Sequence, residues 1–491
     1  MKTWRNIALP SEDYVRKALP QVLSNTDMTW SFLMIMFFIS NPIGTISAGA
    51  VSLLYWVVGA VVFFLPTVVA VSQLSVMFPH EGSTYTWTHK ALGGFWSFFA
   101  SVLFWVPGIL ATVGALSIAL TFIQALHANW LTLPWQQGLA LIVMIIVAGI
   151  IALQPARTIM NLVKITAPLT YGVVALLGIG AVIWLLTGHH SMTSFNTSQD
   201  WAVNVSNLPL FGAVILAYLG ADVPIVMAGE TKSGFHNPRT LFWGSIGVIA
   251  AYMILTIALM VVEGPQTATL GSFAVIDIIT KMFGPIVGDV AIVCVLAFFP
   301  IFVALMSTIF ARLLMTASID RRLPISLSKL NKYRVPSRAV IFQTVISVIF
   351  ALLLFLFPYV IPIANPQNLG AEIQALSLST LTLLWAISSG FLFIDLFIIY
   401  RRDPAWFHQH RIFSMPVLWF CMIVAPIASV VAFLVTLFFS QVPTLISNQQ
   451  WLLYVLLLTA ASLVISFIAS VFATSDAAWQ DQTYAAENSM Q

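Results

Sequence analysis

Apolar stretches close to transmembrane length follow one another from Thr29 to Ala473, separated by polar or Gly/Pro-rich punctuation. A helix needs roughly 20 such residues to cross about 30 Å of hydrocarbon. The pattern therefore predicts about twelve spans, near 29–47, 51–78, 95–123, 136–154, 162–187, 207–229, 240–262, 286–315, 339–363, 374–399, 414–440 and 450–473. The fold class expected is an all-α polytopic membrane protein. A polar segment over 1–28 precedes a single membrane domain over 29–473, and a tail over 474–491 follows it.

Composition agrees with the pattern. Hydrophobic residues make up 60% of the 491 and charged residues 8%, too little polar surface to clothe soluble domains of this length. The lipid bilayer is the expected solvent. The first 27 residues carry Lys2, Arg5, Glu12, Asp13, Arg16 and Lys17 with no apolar core, unlike a cleavable signal peptide. With the N-terminus inside, the connections at 79–94, 155–161, 230–239, 316–338 and 400–413 are cytoplasmic, and Lys281 is the sole external cation among the twenty Lys and Arg. That asymmetry predicts that both termini are cytoplasmic, and the expected location is a plasma membrane, that of a bacterial inner membrane.

Several chemistries have no residues to carry them. No GxxxxGK[ST], HExxH or GxSxG pattern is present, so neither nucleotide coupling nor an intramembrane hydrolase is expected, and the chain does not read as an enzyme. Cys294 and Cys421 each lie in an apolar run and read as buried thiols rather than a disulfide or metal pair. His189 and His190 share an external loop without further ligands. No cofactor, metal or nucleic-acid partner is expected. The sequons at Asn196 and Asn204 are short matches that carry no weight.

Two spans are interrupted. Span 1 contains Ile39-Ser40-Asn41-Pro42-Ile43-Gly44-Thr45, and span 6 contains Tyr218-Leu219-Gly220-Ala221-Asp222-Val223-Pro224. Each places Gly, Pro and polar side chains where a simple span would be continuous Leu and Val. Breaks at corresponding positions of two five-helix halves, about 29–187 and 207–399, with extra helices over 414–473, point to a transporter binding site. Unwound backbone there offers amides and half-helix N-termini to a carboxylate, and carbonyls to an ammonium group. An amino acid fits both poles. The competing reading is that Gly and Pro merely kink the helices or let them pack closely.

Asp222 is the most central carboxylate, and an acid within a span costs at least about 2.5 kcal/mol to insert. It could take up a proton, pair with a substrate amine or tie the broken helix to a neighbour. Coupling or gating is ranked first. Lys164, near the start of span 5, is a second coupling or gating candidate, with snorkelling to the headgroups favoured for it. Asp395, five residues before Tyr400-Arg401-Arg402, reads as salt-bridged or hydrated at the interface; Glu263 and Asp289 read as interfacial. Trp105, Tyr218, Phe298, Phe299 and Trp385 are candidate walls of a central pathway, and Ser388 and Ser389 could add hydroxyls. The substrate-binding set is thus Ser40, Asn41, Ile43, Gly44, Thr45, Trp105, Tyr218, Gly220, Ala221, Phe298, Trp385 and Ser388.

Three stretches resemble the amino acid–polyamine–organocation superfamily: 65–98 (LPTVVAVSQLSVMFPHEGSTYTWTHKALGGFWSF), 218–240 (YLGADVPIVMAGETKSGFHNPRT) and 311–339 (ARLLMTASIDRRLPISLSKLNKYRVPSRA). The resemblance implies a LeuT-type fold of two inverted five-helix repeats plus two helices. The region from span 1 to span 3 is similar to the glutamate/4-aminobutyrate antiporter branch. Three departures stand out: Ser40 to Thr45 replaces a Gly-rich break, Ser83-Thr84 stands where Gly-Gly precedes Tyr85, and Asp222 stands where the family has Glu. The function expected is secondary transport of an amino acid, by exchange or proton symport. A polyamine or cationic amino acid exchanger, with Asp222 pairing the substrate, and a non-transporting amino acid sensor are the alternatives.

Overall fold

A computed structural model describes residues 9–489 apart from 128, 206, 233–236, 265–266, 272, 361–365 and 442–444. Among them, ten helices are long and apolar enough to cross a membrane: Val51–Met77, Gly94–Gln124, Trp135–Ala152, Ala156–Leu186, Pro238–Val262, Pro285–Ile319, Ser337–Phe355, Ala375–Arg402, Met415–Phe438 and Asn448–Thr474. These are spans 2 to 5 and 7 to 12. Spans 1 and 6 are present as shorter segments, so the crossings number about twelve.

The boundaries shift where polar residues are compatible with helix. Span 5 begins at Ala156, earlier than expected, because Arg157 and Lys164 on its first turns both reach the buried Asp27 carboxylate. The last helix continues from Asn448 to Ser489, through most of the expected tail. That stretch holds neither Gly nor Pro to stop it.

The packing repeats itself with a period of five spans. Span 3 packs on span 10 as span 8 packs on span 5, span 3 meets span 4 as span 8 meets span 9, and span 4 lies against span 9. Five is odd, so the second half crosses in the opposite direction to the first and the repeat is inverted. Span 11 leans on span 2 and the first segment of span 6, and span 12 covers spans 3 and 10.

One end of the bundle gathers the basic residues and is closed by polar bonds. The chain entering span 1 pairs with the chain leaving span 6: Leu23 N–H donates to the Glu230 carbonyl at 3.0 Å and Lys232 N–H to the Leu23 carbonyl at 2.9 Å. Ser24 and Asp27 form a reciprocal cap on span 1. Arg312, fully buried on span 8, bonds Glu230 and lies 3.8 Å from Glu81, which also accepts the Gly229 N–H at 2.8 Å. The helix Pro10–Ala18 lies over this end, with Ser11 bonded to Asp320 and Glu12 to Lys90 at 2.7 Å.

A buried ion cluster resists loss of one member far more than it adds in absolute stability, since the abandoned charges stay desolvated. Arg312→Ala should therefore lower the stability of detergent-purified protein by about 3–5 kcal/mol, seen as a large fall in melting temperature. An unchanged melting temperature would show that the cluster is not holding this end together.

Candidate functional site

The helix Asn25–Met36 ends at Phe37, residues 37–42 are non-helical, and Ile43–Ala48 is a 3-10 segment. Span 6 repeats the plan: a helix Leu208–Ala217, non-helical 218–223, then a 3-10 segment Pro224–Glu230. The causes are local. Pro42 and Pro224 bring no N–H to the helix ladder. Gly220 has φ +104°, a conformation that side chains strain against. In span 1 the break thus starts before Ile39, and Ile43, Gly44 and Thr45 belong to the 3-10 segment rather than to the unwound residues.

Unwound backbone in hydrocarbon needs partners, and span 7 supplies one. The Tyr252 hydroxyl donates to the Met36 carbonyl at 2.8 Å and accepts from Phe38 N–H at 3.2 Å and Asn41 Nδ2 at 2.9 Å. Its ring stacks on Trp56 with centroids 4.3 Å apart. Tyr218 is enclosed by the same aromatic group, stacked on Phe64 at 4.6 Å and edge-on to Trp56 at 5.4 Å. Phe64 closes the π turn Ala60–Phe64 of span 2, two residues before Pro66.

Between the breaks lies a cavity of about 280 Å³. Span 1 contributes Ile35, Met36, Phe38 and Asn41; span 6 contributes Ala213, Leu216, Ala217 and Leu219. Ala111, Gly114, Ala115 and Ile118 of span 3, Phe302 and Met306 of span 8, and Leu378, Thr382 and Trp385 of span 10 complete the walls. Gln441, exposed beyond span 11, marks its reach toward the end opposite the basic one. Among the described residues no charged side chain lines it. The buried Nε1 of Trp385 has no hydrogen-bond partner among them either.

Of the expected binding residues, Asn41 and Trp385 line this cavity. Gly220 stands behind Trp385: a Cβ there would meet the indole at 3.4 Å. Ala221 is buried beside it, and Ser40 adjoins Asn41 half-buried. Phe298 packs edge-on behind Phe38 at 5.8 Å. Thr45 instead bonds span 2, accepting from Trp56 Nε1 at 3.3 Å, while Ile43 is buried and Gly44 exposed outside the walls. Trp105 turns away, donating to Gln343 Oε1 at 3.3 Å and stacking on Phe342. Ser388 joins span 10 to the Ala100 carbonyl of span 3 at 3.0 Å.

The charged candidates also lie outside the walls. Asp222 is 1% exposed and accepts from Thr84 Oγ1 at 2.8 Å, while Lys164 is bonded to Asp27 at the basic end. Asp395 corrects the interfacial expectation: it is 0% exposed, accepts from Thr88 Oγ1 at 2.7 Å and has no ion pair among the described residues. Glu263 is likewise buried, bonded to Lys281 at 2.7 Å. Sequence reasoning missed Tyr252, Phe302 and Met306. It also missed the small face of span 3, although positions 111, 114, 115 and 118 keep the i, i+3, i+4, i+7 spacing of one helix face.

A sequence model described as amino acid permease matches residues 23–467. An uncharacterized transporter of Legionella pneumophila is 25% identical over 335 residues, 61% of this chain and 67% of its own length. A probable agmatine/putrescine antiporter of Lactococcus lactis is 25% identical over 236 residues, 45% of this chain and 48% of its own. Among solved structures, MhsT in complex with L-phenylalanine matches with a TM-score of 0.57 at 14% identity, over 85% of this chain and 99% of that one. At that identity the likeness is one of fold: the LeuT-type arrangement expected from the sequence is the one observed.

Tyr252→Phe removes the hydroxyl and leaves the Met36 carbonyl and the Phe38 and Asn41 donors short of a partner. Buried groups left unpaired cost about 1–3 kcal/mol. The variant should melt lower by a corresponding amount, with Tyr218→Phe, whose hydroxyl bonds the Trp56 carbonyl at 3.4 Å, as the milder comparison.

Proposed function

Because the chain belongs to the amino acid permease family, whose fold here is that of secondary transporters, we propose that it carries a neutral amino acid across the plasma membrane by alternating access. The observation that carries this reading is the cavity at the two breaks, whose walls, among the described residues, hold backbone, amide and hydroxyl groups but no charged side chain. A zwitterion needs a donor region and an acceptor region close together, which the broken helices offer. The apolar walls from spans 3, 6, 8 and 10 then enclose the side chain, and the unpartnered Trp385 N–H is a donor for the bound molecule. The volume lies just below the usual range of about 300–1,000 Å³ for ligand pockets, which suits a small substrate.

The Lactococcus relative is described as a probable antiporter of agmatine and putrescine, both cations. A dication would call for carboxylates in the walls. Asp222 is buried under Thr84 instead, which supports the neutral amino acid over the polyamine reading. The asymmetry of Lys and Arg supports a cytoplasmic basic end, with the termini on the same side. That end is closed and the cavity reaches the other, as in an outward-facing state. Lys164, with Arg157 and Asp27, then belongs to the inner closure, and Asp222 to the gating of span 6. Exchange and proton symport are both compatible with this arrangement.

Uptake by purified protein in liposomes, from a panel of neutral, acidic and basic amino acids and diamines, tests the reading. Neutral amino acids should accumulate or exchange, diamines should not compete, and Trp385→Ala should reduce apparent affinity by about tenfold or more, the equivalent of about 1.4 kcal/mol. Preferential uptake of putrescine would restore the polyamine reading, and saturable binding without flux would favour a sensor.

A further inference from the structure

The helix Thr84–Leu92, between spans 2 and 3, carries two threonines one turn apart, and each holds a buried aspartate from a different span. Thr84 Oγ1 donates to Asp222 Oδ2 at 2.8 Å, at the break of span 6. Thr88 Oγ1 donates to Asp395 Oδ2 at 2.7 Å, on span 10. In both acids the second oxygen, Oδ1, is buried with no hydrogen-bond partner among the described residues. Residues four apart lie about 6 Å apart along a helix axis, so one short helix bridges two carboxyl groups on elements that alternating access must move. We propose that Asp395 is a second proton-binding site, which with Asp222 clamps this helix across the inner end when protonated and loosens it when ionised.

Both acids are short of hydrogen-bond donors among the described residues. An ionised carboxylate taken out of water costs several kcal/mol unless a cation or several donors compensate it, and each of these has one hydroxyl. A bound proton removes the charge and turns the carboxyl into a donor as well. Among the described residues, the elements packed on span 10 form no ion pair with Asp395. Spans 2, 3 and 11 carry no Asp, Glu, Lys, Arg or His, and neither does span 12 over Asn448–Thr474. Arg338 starts span 9 on the basic side. On the clamped helix, Lys90 pairs with Glu12 at 2.7 Å, and the half-buried His89 ring is pushed down to about 4 by desolvation and by Arg322 and Lys90, so it is neutral near pH 7. Arg402 donates to the Lys90 carbonyl at 3.0 Å, Arg401 lies over the Phe397 ring, and His408 and His410 sit on the following helix, where His410 bonds the Trp406 carbonyl. None of these forms an ion pair with Asp395 among the described residues.

The chemistry is a proton transfer and nothing more. The acid's O–H bond breaks as the inner end opens to water, the proton leaves as hydronium, and the reverse step re-forms the acid as the end closes. The inference rests on the transport reading for its role in the cycle, but the proton site itself can be measured without transport.

Infrared difference spectra of the purified protein between two pH values report buried carboxylic acids by their C=O stretch. Two such bands are expected, one lost in Asp222→Asn and the other in Asp395→Asn, with Thr88→Val moving the second to higher frequency as its hydrogen bond disappears. In liposomes, Asp395→Asn should flatten the pH dependence of net uptake while retaining exchange at fixed pH. A spectrum and pH profile in Asp395→Asn identical to those of the unsubstituted protein would overturn the proposal. If Asp395→Asn does not fold, Thr88→Val leaves the acid in place, and an unmoved band there is equally fatal. Failure of the unsubstituted protein to transport anything would instead sink the functional reading and leave the spectra to judge the proton site.

Discussion

Inside hydrocarbon an interrupted helix strands amide and carbonyl groups where water cannot reach them, and each must find a partner in the protein. In span 1 the partner is one phenolic oxygen. Tyr252 takes up the end of the helix at Met36, the first unwound N–H at Phe38 and the side chain of Asn41, so the break is held in a single shape. The aromatic set of Trp56, Phe64 and Tyr218 fixes that tyrosine from behind and joins the break of span 1 to that of span 6. The cavity lies where these two irregular segments meet.

The same two segments converge again at the basic end, where Leu23 pairs with residues 230–232 and Arg312 joins Glu230 and Glu81. Those bonds tie spans 1, 6 and 8 and the chain after span 2 together at one end of the bundle. The helix Thr84–Leu92 sits between that closure and spans 6 and 10, in the place from which a change at either aspartate would be felt by both.

Much of the fold was legible because the bilayer imposes a length and a composition on every span, and the breaks because Pro42, Gly220 and Pro224 are conspicuous in apolar runs. What the sequence hid were relations between distant positions. Tyr252 reads as one more aromatic in span 7 until its hydroxyl is seen among three groups of span 1. Asp395 lies close in sequence to Arg401 and Arg402, yet their positions on the helix leave it buried and facing Thr88. Trp105 looked like a wall residue, but Gln343 offers its indole an acceptor on the far side of span 3. Two departures from the superfamily pattern, Thr84 and Asp222, turn out to be hydrogen-bonded partners: the hydroxyl meets the carboxyl that stands where a longer acid would be expected.

The central claim is that a neutral amino acid occupies the cavity between the breaks. Gly114 lies in its wall, and a Cβ there meets nothing closer than Leu378 at 3.5 Å, so a cysteine fits. With Cys294 and Cys421 replaced by Ser, the rate at which a membrane-impermeant thiol reagent labels Gly114→Cys should be measured with and without amino acids. Neutral amino acids at concentrations matching their transport should slow this labelling and diamines should leave it unchanged; labelling indifferent to every transported substrate would place the binding site elsewhere.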